Sequence, residues 1–213
     1  IVQNVNNKFT SMVLGDRETV LFGKGYIEDI LCGCRFRISP KSFYQINPVQ
    51  TEKLYNCAIH LAGLTGKETV IDAYCGIGTI SLAAAKSAKK VIGVEIVEEA
   101  IKNAKQNTVA NGVSNAEFYA GSAEEKVPKL VKSGEKPDIV ILDPPRKGCD
   151  ETLLDTMVKM QPKRIVYVSC NPETLSHDLT YFGQNGYRVR KIQPFDMFPH
   201  TNHCECAVLL VKQ

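Results

Sequence analysis

The 213 residues carry 44% hydrophobic and 23% charged side chains and a formal net charge of +3. That balance belongs to one globular domain, or one domain with an appendage, long enough to bury a full core. No apolar run reaches the about 20 residues of a bilayer span and no signal peptide opens the chain, so no membrane is expected and the cytoplasm is the expected location.

The eight cysteines (32, 34, 57, 75, 149, 170, 204 and 206) include no Cys-x-x-Cys pair. Cys32-x-Cys34 and Cys204-x-Cys206 have strand spacing, which is expected to send both members of each pair to one face. Neither matches a zinc pattern, so free thiols in a reducing compartment and no metal site are expected. The opening Ile1–Lys8 is polar, Asn-rich and lacks an initial methionine, and reads as the start of a piece cut from a longer protein.

Glu18 to Arg37 is rich in β formers and broken by Gly23, Gly25 and Gly33, which predicts two or three short antiparallel strands. A loop or short strand, Ser39 to Ile46, follows. Asn47-Pro48 then starts a helix: Asn47 can cap it, and proline suits the first turn. Leu54, Cys57, Ala58, Leu61 and Ala62 recur at helical spacing.

From Thr69 strands and helices alternate. Strands are predicted at Val70–Asp72, Val91–Val94, Ala116–Tyr119, Asp138–Leu142 and Ile165–Val168. Helices are predicted at Thr79–Ser87, Val97–Asn111, Ala123–Lys132, Glu151–Met160 and Glu173–Asn185. Tyr187–Ile192 and Ala207–Val211 close the chain as two strands with no helix between them. Five βα units and a terminal hairpin predict a mostly parallel α/β sheet with one antiparallel strand.

Asp72-Ala-Tyr-Cys-Gly-Ile-Gly-Thr79 joins the first of these strands to its helix, and Gly76 and Gly78 permit close backbone approach. The loop is neither Gly-x-Gly-x-x-Gly nor a phosphate loop. The next strand ends in Glu95, whose carboxylate can accept from both hydroxyls of an unphosphorylated ribose. The third ends at Gly121-Ser122-Ala123-Glu124. Together these suit an adenosine cofactor without a pyrophosphate, S-adenosylmethionine ahead of NAD.

The fourth strand runs into Asp143-Pro-Pro-Arg-Lys-Gly148. The fifth stops at Ser169-Cys-Asn-Pro172, placing Cys170 at a carboxyl end, where open α/β sheets bind ligands. Pro199-His-Thr-Asn-His-Cys-Glu205 puts a further carboxylate within reach.

These pieces, with Ser42-Phe-Tyr-Gln-Ile-Asn47, lie in order over about four-fifths of the chain. In that combination the chain resembles the RNA uridine C5-methyltransferases of the RumA/TrmA type. It departs at Cys204, where that family usually has an aliphatic residue; the N-terminal barrel that members commonly carry and the four-cysteine iron–sulfur site that some add are not expected within this piece. The resemblance implies a Rossmann-like, seven-stranded S-adenosylmethionine-dependent methyltransferase domain at 41–213, preceded by a β-rich remnant of another module at 1–40. It implies Cys170 as nucleophile, Glu205 as base and Asp143 as partner of the uracil edge. Cofactor contacts are implied at Gln45, Tyr74, Gly76, Thr79, Glu95, Ser122 and Asp143. The expected partner is RNA, ribosomal rather than transfer RNA, with the protein a monomer and no iron–sulfur cluster in this piece. His200 and His203 are read as ordering their loop. Two other readings are an exocyclic-amine methyltransferase that clamps a planar base with Asp143-Pro-Pro-Arg146, and a non-catalytic RNA-binding relative.

Overall fold

The computed structural model describes residues 1–9 and 13–213. A ribbon pairs β1 (Val2–Val5) with β2 (Arg17–Val20), and a hairpin pairs β3 (Ile27–Leu31) with β4 (Cys34–Ile38). After α1 (Pro48–Ala62) come five strand–helix units. They are β5 (Thr69–Asp72) with α2 (Thr79–Ala85), β6 (Lys90–Glu95) with α3 (Glu98–Ala110), and β7 (Ala116–Ala120) with α4 (Ala123–Lys132). The last two are β8 (Ile139–Leu142) with α5 (Glu151–Met160), and β9 (Arg164–Ser169) with α6 (Pro172–Gln184). Strands β10 (Tyr187–Phe195) and β11 (Glu205–Lys212) end the chain. Among the described residues no helix is long and apolar enough to cross a membrane.

Seven strands form one sheet in the order β10-β11-β9-β8-β5-β6-β7. Pairs among β5 to β9 are parallel, and β11 runs antiparallel to both β9 and β10, as the expected mostly parallel sheet requires. The central strands are continuous apolar runs because helices cover both faces; all four residues of β8 are buried. Leu82, Ile101 and Ile141 belong to the core on one face, and Leu153, Met157 and Phe182 to the core on the other. Pro194 is tolerated because β10 is an edge strand, whose outer side needs no amide donor. The chain runs one way from β5 through β6 to β7 and the other way through β8 to β9, so a crevice opens at the carboxyl ends of β5 and β8.

The polar opening, for which the sequence predicts no element, contains a strand, β1, which pairs with β2. One expectation needs correction. Cys32 does not share a strand face with Cys34: Cys32 (φ 49°) and Gly33 (φ 66°) are the two-residue turn of the β3–β4 hairpin, where the strands' twist demands positive φ.

Cys34, Phe36 and Ile38 of β4 point into the main core. The outer edge of β4 meets α3, and asparagines spaced four apart satisfy its backbone. Asn111 accepts from Arg35 N–H (2.8 Å) and donates to its carbonyl (2.7 Å). Asn107 accepts from Arg37 N–H (2.7 Å) and donates to the carbonyls of Arg37 (3.4 Å) and Ile77 (3.1 Å). Asn103 donates to the hydroxyls of Ser39 and Ser42. Asn107 is fully buried, so Asn107→Leu strands polar groups with no access to water. It is expected to cost at least about 2 kcal/mol in urea denaturation, whereas Lys102→Ala, which removes an exposed ion pair on the same helix, is expected to cost under about 0.5 kcal/mol.

Candidate active site

The turn after β5 is tied down at both ends: Cys75 N–H donates to the Val94 carbonyl (3.0 Å) and Gly78 N–H to the Cys75 carbonyl (2.8 Å). Its two glycines, both at positive φ, serve different needs. A Cβ on Gly76 would meet nothing within 4 Å, so this residue leaves its backbone bare; one on Gly78 would sit 3.1 Å from the Phe118 ring. Glu95 braces the turn. Its Oε2 accepts from Gly76 N–H (3.1 Å) and its Oε1 from Val97 N–H (2.9 Å). A carboxylate offers about four acceptor sites, so each oxygen keeps a lone pair for a ligand.

A cleft of about 390 Å³, open mouth included, lies between this turn, α1 and the loop through Tyr44. Gln45, Tyr74, Gly76, Thr79 and Asp143 all line it. Glu95 and Ser122 stand beyond the lining, Ser122 as the residue that opens α4. Two residues on, Glu124 accepts from the Tyr74 hydroxyl (3.1 Å) and links α4 back to the cleft.

The charged side chains of the lining are two carboxylates, Asp72 and Asp143, with no lysine or arginine. Asp72 is fully buried; its Oδ2 accepts from Ser81 (2.6 Å), and its Oδ1 has no partner. Burial pushes its pKa up to about 6 against the opposing Ser81 bond. Asp143 opens part of its surface to the cleft but lies deep in the fold. Burial first, then Glu205 and Asp72, hold its pKa well above the usual carboxylate range. A group of this kind calls for a cation.

Cys170 follows β9, and Glu205 begins β11. Cys206 pairs with Ser169, so the register carried one step further sets Glu205 opposite Cys170. Cys170 is raised by burial and then by Glu205 and Asp143, with Arg146 opposing. Glu205, 4% exposed, is raised by burial, again with Arg146 opposing. The fold therefore gathers Cys170, Glu205 and Asp143 from three strand ends.

Sequence reasoning passed over Tyr55, Asp72 and Arg146 as site residues. Tyr55 is buried on α1 beside the cleft; burial first, then Asp143, raise its pKa, with Thr79 opposing and Asp72 and Glu205 adding to the rise. Its only sequence signal was a polar-tipped ring on the apolar face of that helix. Asp72 and Arg146 lay inside quoted motifs, but their effect on neighbouring charges depends on strand order.

The family model described as tRNA (Uracil-5-)-methyltransferase matches residues 13–213. An "Uncharacterized RNA methyltransferase" of Clostridium acetobutylicum is 55% identical over 212 residues, covering 100% of this chain and 46% of its own length. One from Bacillus cereus is 56% identical with the same coverage. Among solved structures, the Pyrococcus abyssi tRNA (uracil-54, C5)-methyltransferase in complex with S-adenosyl-L-homocysteine superposes with a TM-score of 0.82 at 35% identity, over 98% of this chain and 50% of that one. M. jannaschii TYW2 in complex with AdoMet, at 16% identity and a TM-score of 0.62, shares the fold. The chain spans about half the length of these curated relatives. With its model matched over nearly every residue, the tRNA (uracil-5-)-methyltransferase family is the one to which this chain belongs.

Proposed function

We propose that this chain carries the active site of an enzyme that moves a methyl group from S-adenosylmethionine to C5 of a uridine in RNA. The observation that carries the reading is the β9–β11 ladder, whose last pair, Cys206↔Ser169, leaves Glu205 and Cys170 as the next residues along their chains, with the charges of Glu205 and Asp143 felt at the Cys170 thiol. A cleft whose charged lining is carboxylate supports it, since the cofactor brings two positive centres. Family membership supports it too. We take the substrate to be ribosomal RNA; the archaeal relative is named for a tRNA uridine, so both RNAs belong in the assay.

Gln45, Tyr74, Gly76, Thr79, Glu95, Ser122 and Asp143 would hold the cofactor, with Glu95 accepting from ribose hydroxyls. The residues fit the group: Gly76 leaves room for close approach, Glu95 keeps free lone pairs, and Asp72 has a buried oxygen without a partner. When bound, the cofactor supplies an electrophilic sulfonium methyl group. The protein supplies the rest. Uracil C5 is a weak carbon nucleophile, so the Cys170 thiolate adds to C6 and converts the ring to an enolate that attacks through C5. Glu205 as carboxylate then removes the C5 proton, and the electron pair expels the thiolate and restores the ring. Asp143, in the lining of the same cleft, would hydrogen-bond the uracil edge. Access to the thiol requires the base to leave its stack.

Removing the ribose acceptors in Glu95→Ala should weaken S-adenosylmethionine binding by about tenfold to a hundredfold, as expected for charge-assisted hydrogen bonds. Isothermal calorimetry on the two proteins decides it, and equal affinities would count against the cofactor assignment.

The two catalytic groups should fail at different points. Cys170→Ala should form no RNA adduct and transfer no methyl group. Glu205→Gln should add and methylate, then stall as a slow, methyl-labelled protein–RNA band on a denaturing gel. Normal turnover by either variant would refute the mechanism, and amine methylation by Cys170→Ala would select the exocyclic-amine reading.

Both groups act deprotonated, and burial holds both above their ordinary values. The Cys170 thiol is mostly protonated at neutral pH even at its ordinary value, so its thiolate fills as pH rises, and the upward shift on Glu205 acts in the same sense. Between about pH 6 and about pH 9 kcat/KM should climb, and a flat profile would contradict the assignment.

A further inference from the structure

The loop that carries Asp143 and Arg146 is held by one face of α6. Asn171 Nδ2 and Thr174 Oγ1 each donate to the Arg146 carbonyl at 3.1 Å. One turn on, Asp178 Oδ2 accepts from Cys149 N–H (2.9 Å) and from the Tyr167 hydroxyl (2.6 Å), while His177 Nδ1 lies 3.2 Å from its Oδ1. The spacing i, i+3, i+7 puts the three side chains in one row. Gly148 (φ 79°) completes the contact: a Cβ there would lie 3.0 Å from Asp178 Oδ2 and 3.2 Å from Thr174 Cβ. A side chain there would press on Asp178 and Thr174, so the close crossing of loop and helix suits glycine.

Cys170 belongs to the same strand–turn–helix unit as these three residues, one position before the N-cap Asn171. Arg146 bears on Cys170 and Glu205 through its charge. Its side chain is exposed, so where its backbone is held decides how strongly that charge is felt. The Asp178 side chain, 3% exposed, is a costly group to bury unless its bonds have a use.

We propose that Asn171, Thr174 and Asp178 are positioning residues, which fix the Asp143–Arg146 loop so that the Arg146 guanidinium bears on the Cys170 thiol and the Glu205 carboxylate. This rests on the reading of Cys170 as the nucleophile. The groups facing Cys170 are then Glu205 from β11, Asp143 from the end of β8 and Arg146 from the loop, and only the last favours the thiolate.

The test is the rate of Cys170 alkylation by iodoacetamide against pH, read by peptide mass spectrometry on the whole 213-residue chain without RNA or cofactor. Arg146→Ala sets the full effect, an upward move of the labelling midpoint. Thr174→Val and Asp178→Ala should each move it up by about half a unit, or about threefold slower labelling below the midpoint. Asp178→Asn keeps an acceptor oxygen for Cys149 and Tyr167 and should restore the wild-type midpoint. With Arg146→Ala in place, Thr174→Val should add nothing. Wild-type midpoints in folded Thr174→Val and Asp178→Ala would overturn the proposal, as would an equal Thr174→Val shift with and without Arg146. Should Asp178→Ala fail to fold by circular dichroism, Thr174→Val decides alone. Because the readout needs no RNA, absence of uridine methylation would sink the proposed function and leave this result standing, whereas normal methylation with unmoved midpoints would sink the positioning alone.

Discussion

The antiparallel ladder between β9 and β11 is the constraint on which the site depends. Five parallel strands could place Cys170 at a sheet end unaided, but a parallel neighbour would bring only another carboxyl end beside it. Because β11 enters in the opposite sense, its first residue arrives where β9 finishes. Glu205 thereby reaches the cysteine from a segment 35 positions later in sequence, with its backbone fixed by the sheet rather than by a loop. The six pairs from Cys206↔Ser169 to Val211↔Arg164 lock that register, and a slip of one residue would turn Glu205 to the other face.

Around this pair the electrostatics are lopsided. Asp72, Asp143 and Glu205 converge from three strands, and the opposing charge of Arg146 reaches only Glu205 and Cys170. Ionising all three acids together is costly: burial raises the pKa of each, and Glu205 and Asp72 raise that of Asp143 further. A ligand with fixed positive charge would relieve this burden, whereas a neutral one of similar shape would not. By the same logic the arrangement favours a sulfonium over the neutral thioether that methyl transfer leaves.

Much of the sheet was legible because its strands are apolar runs of four to six residues separated by glycines and capped helices, a local signal. Val91–Val94, Asp138–Leu142 and Ile165–Val168 each read as a strand and fall on β6, β8 and β9. The insertion of β11 between β9 and β10 was not legible, since no local residue encodes which neighbour a strand chooses. β1 was hidden by its composition: Val-Gln-Asn-Val is mostly solvent-facing, so the apolar pattern that flags a strand is missing. Cys32 was misread because a cysteine before glycine gives no warning of positive φ. In the site, Gln45, Tyr74, Gly76, Thr79 and Asp143, each named from a motif, line one cleft, whereas the influence of Asp72 and Arg146 on their neighbours follows from strand order. Tyr55 looked like core, and Asn171, Thr174 and Asp178 looked like an ordinary helix start. For the α3 asparagines a signal existed in their spacing of four, unusual for a residue that weakens helices.

That asparagine row measures distance as well as supplying bonds. Four residues of helix advance about 6.0 Å, whereas two residues of strand advance about 6.6–6.8 Å. A helix laid against a strand in the opposite sense therefore matches it nearly, rung for rung, like two rulers of slightly different pitch. Asn111 meets Arg35 and Asn107 meets Arg37 on the backbone; the third mark, Asn103, finds serine hydroxyls instead. A row so matched has one setting: moving the hairpin by a single residue would present side chains where amides are needed. Because Asn107 also holds the Ile77 carbonyl, the placement of the glycine turn beside the cleft is gauged from the hairpin, an element that contributes little else to the sheet. Side-chain amides here play the part of a missing third strand, and they close the outer edge of β4 to pairing with another chain.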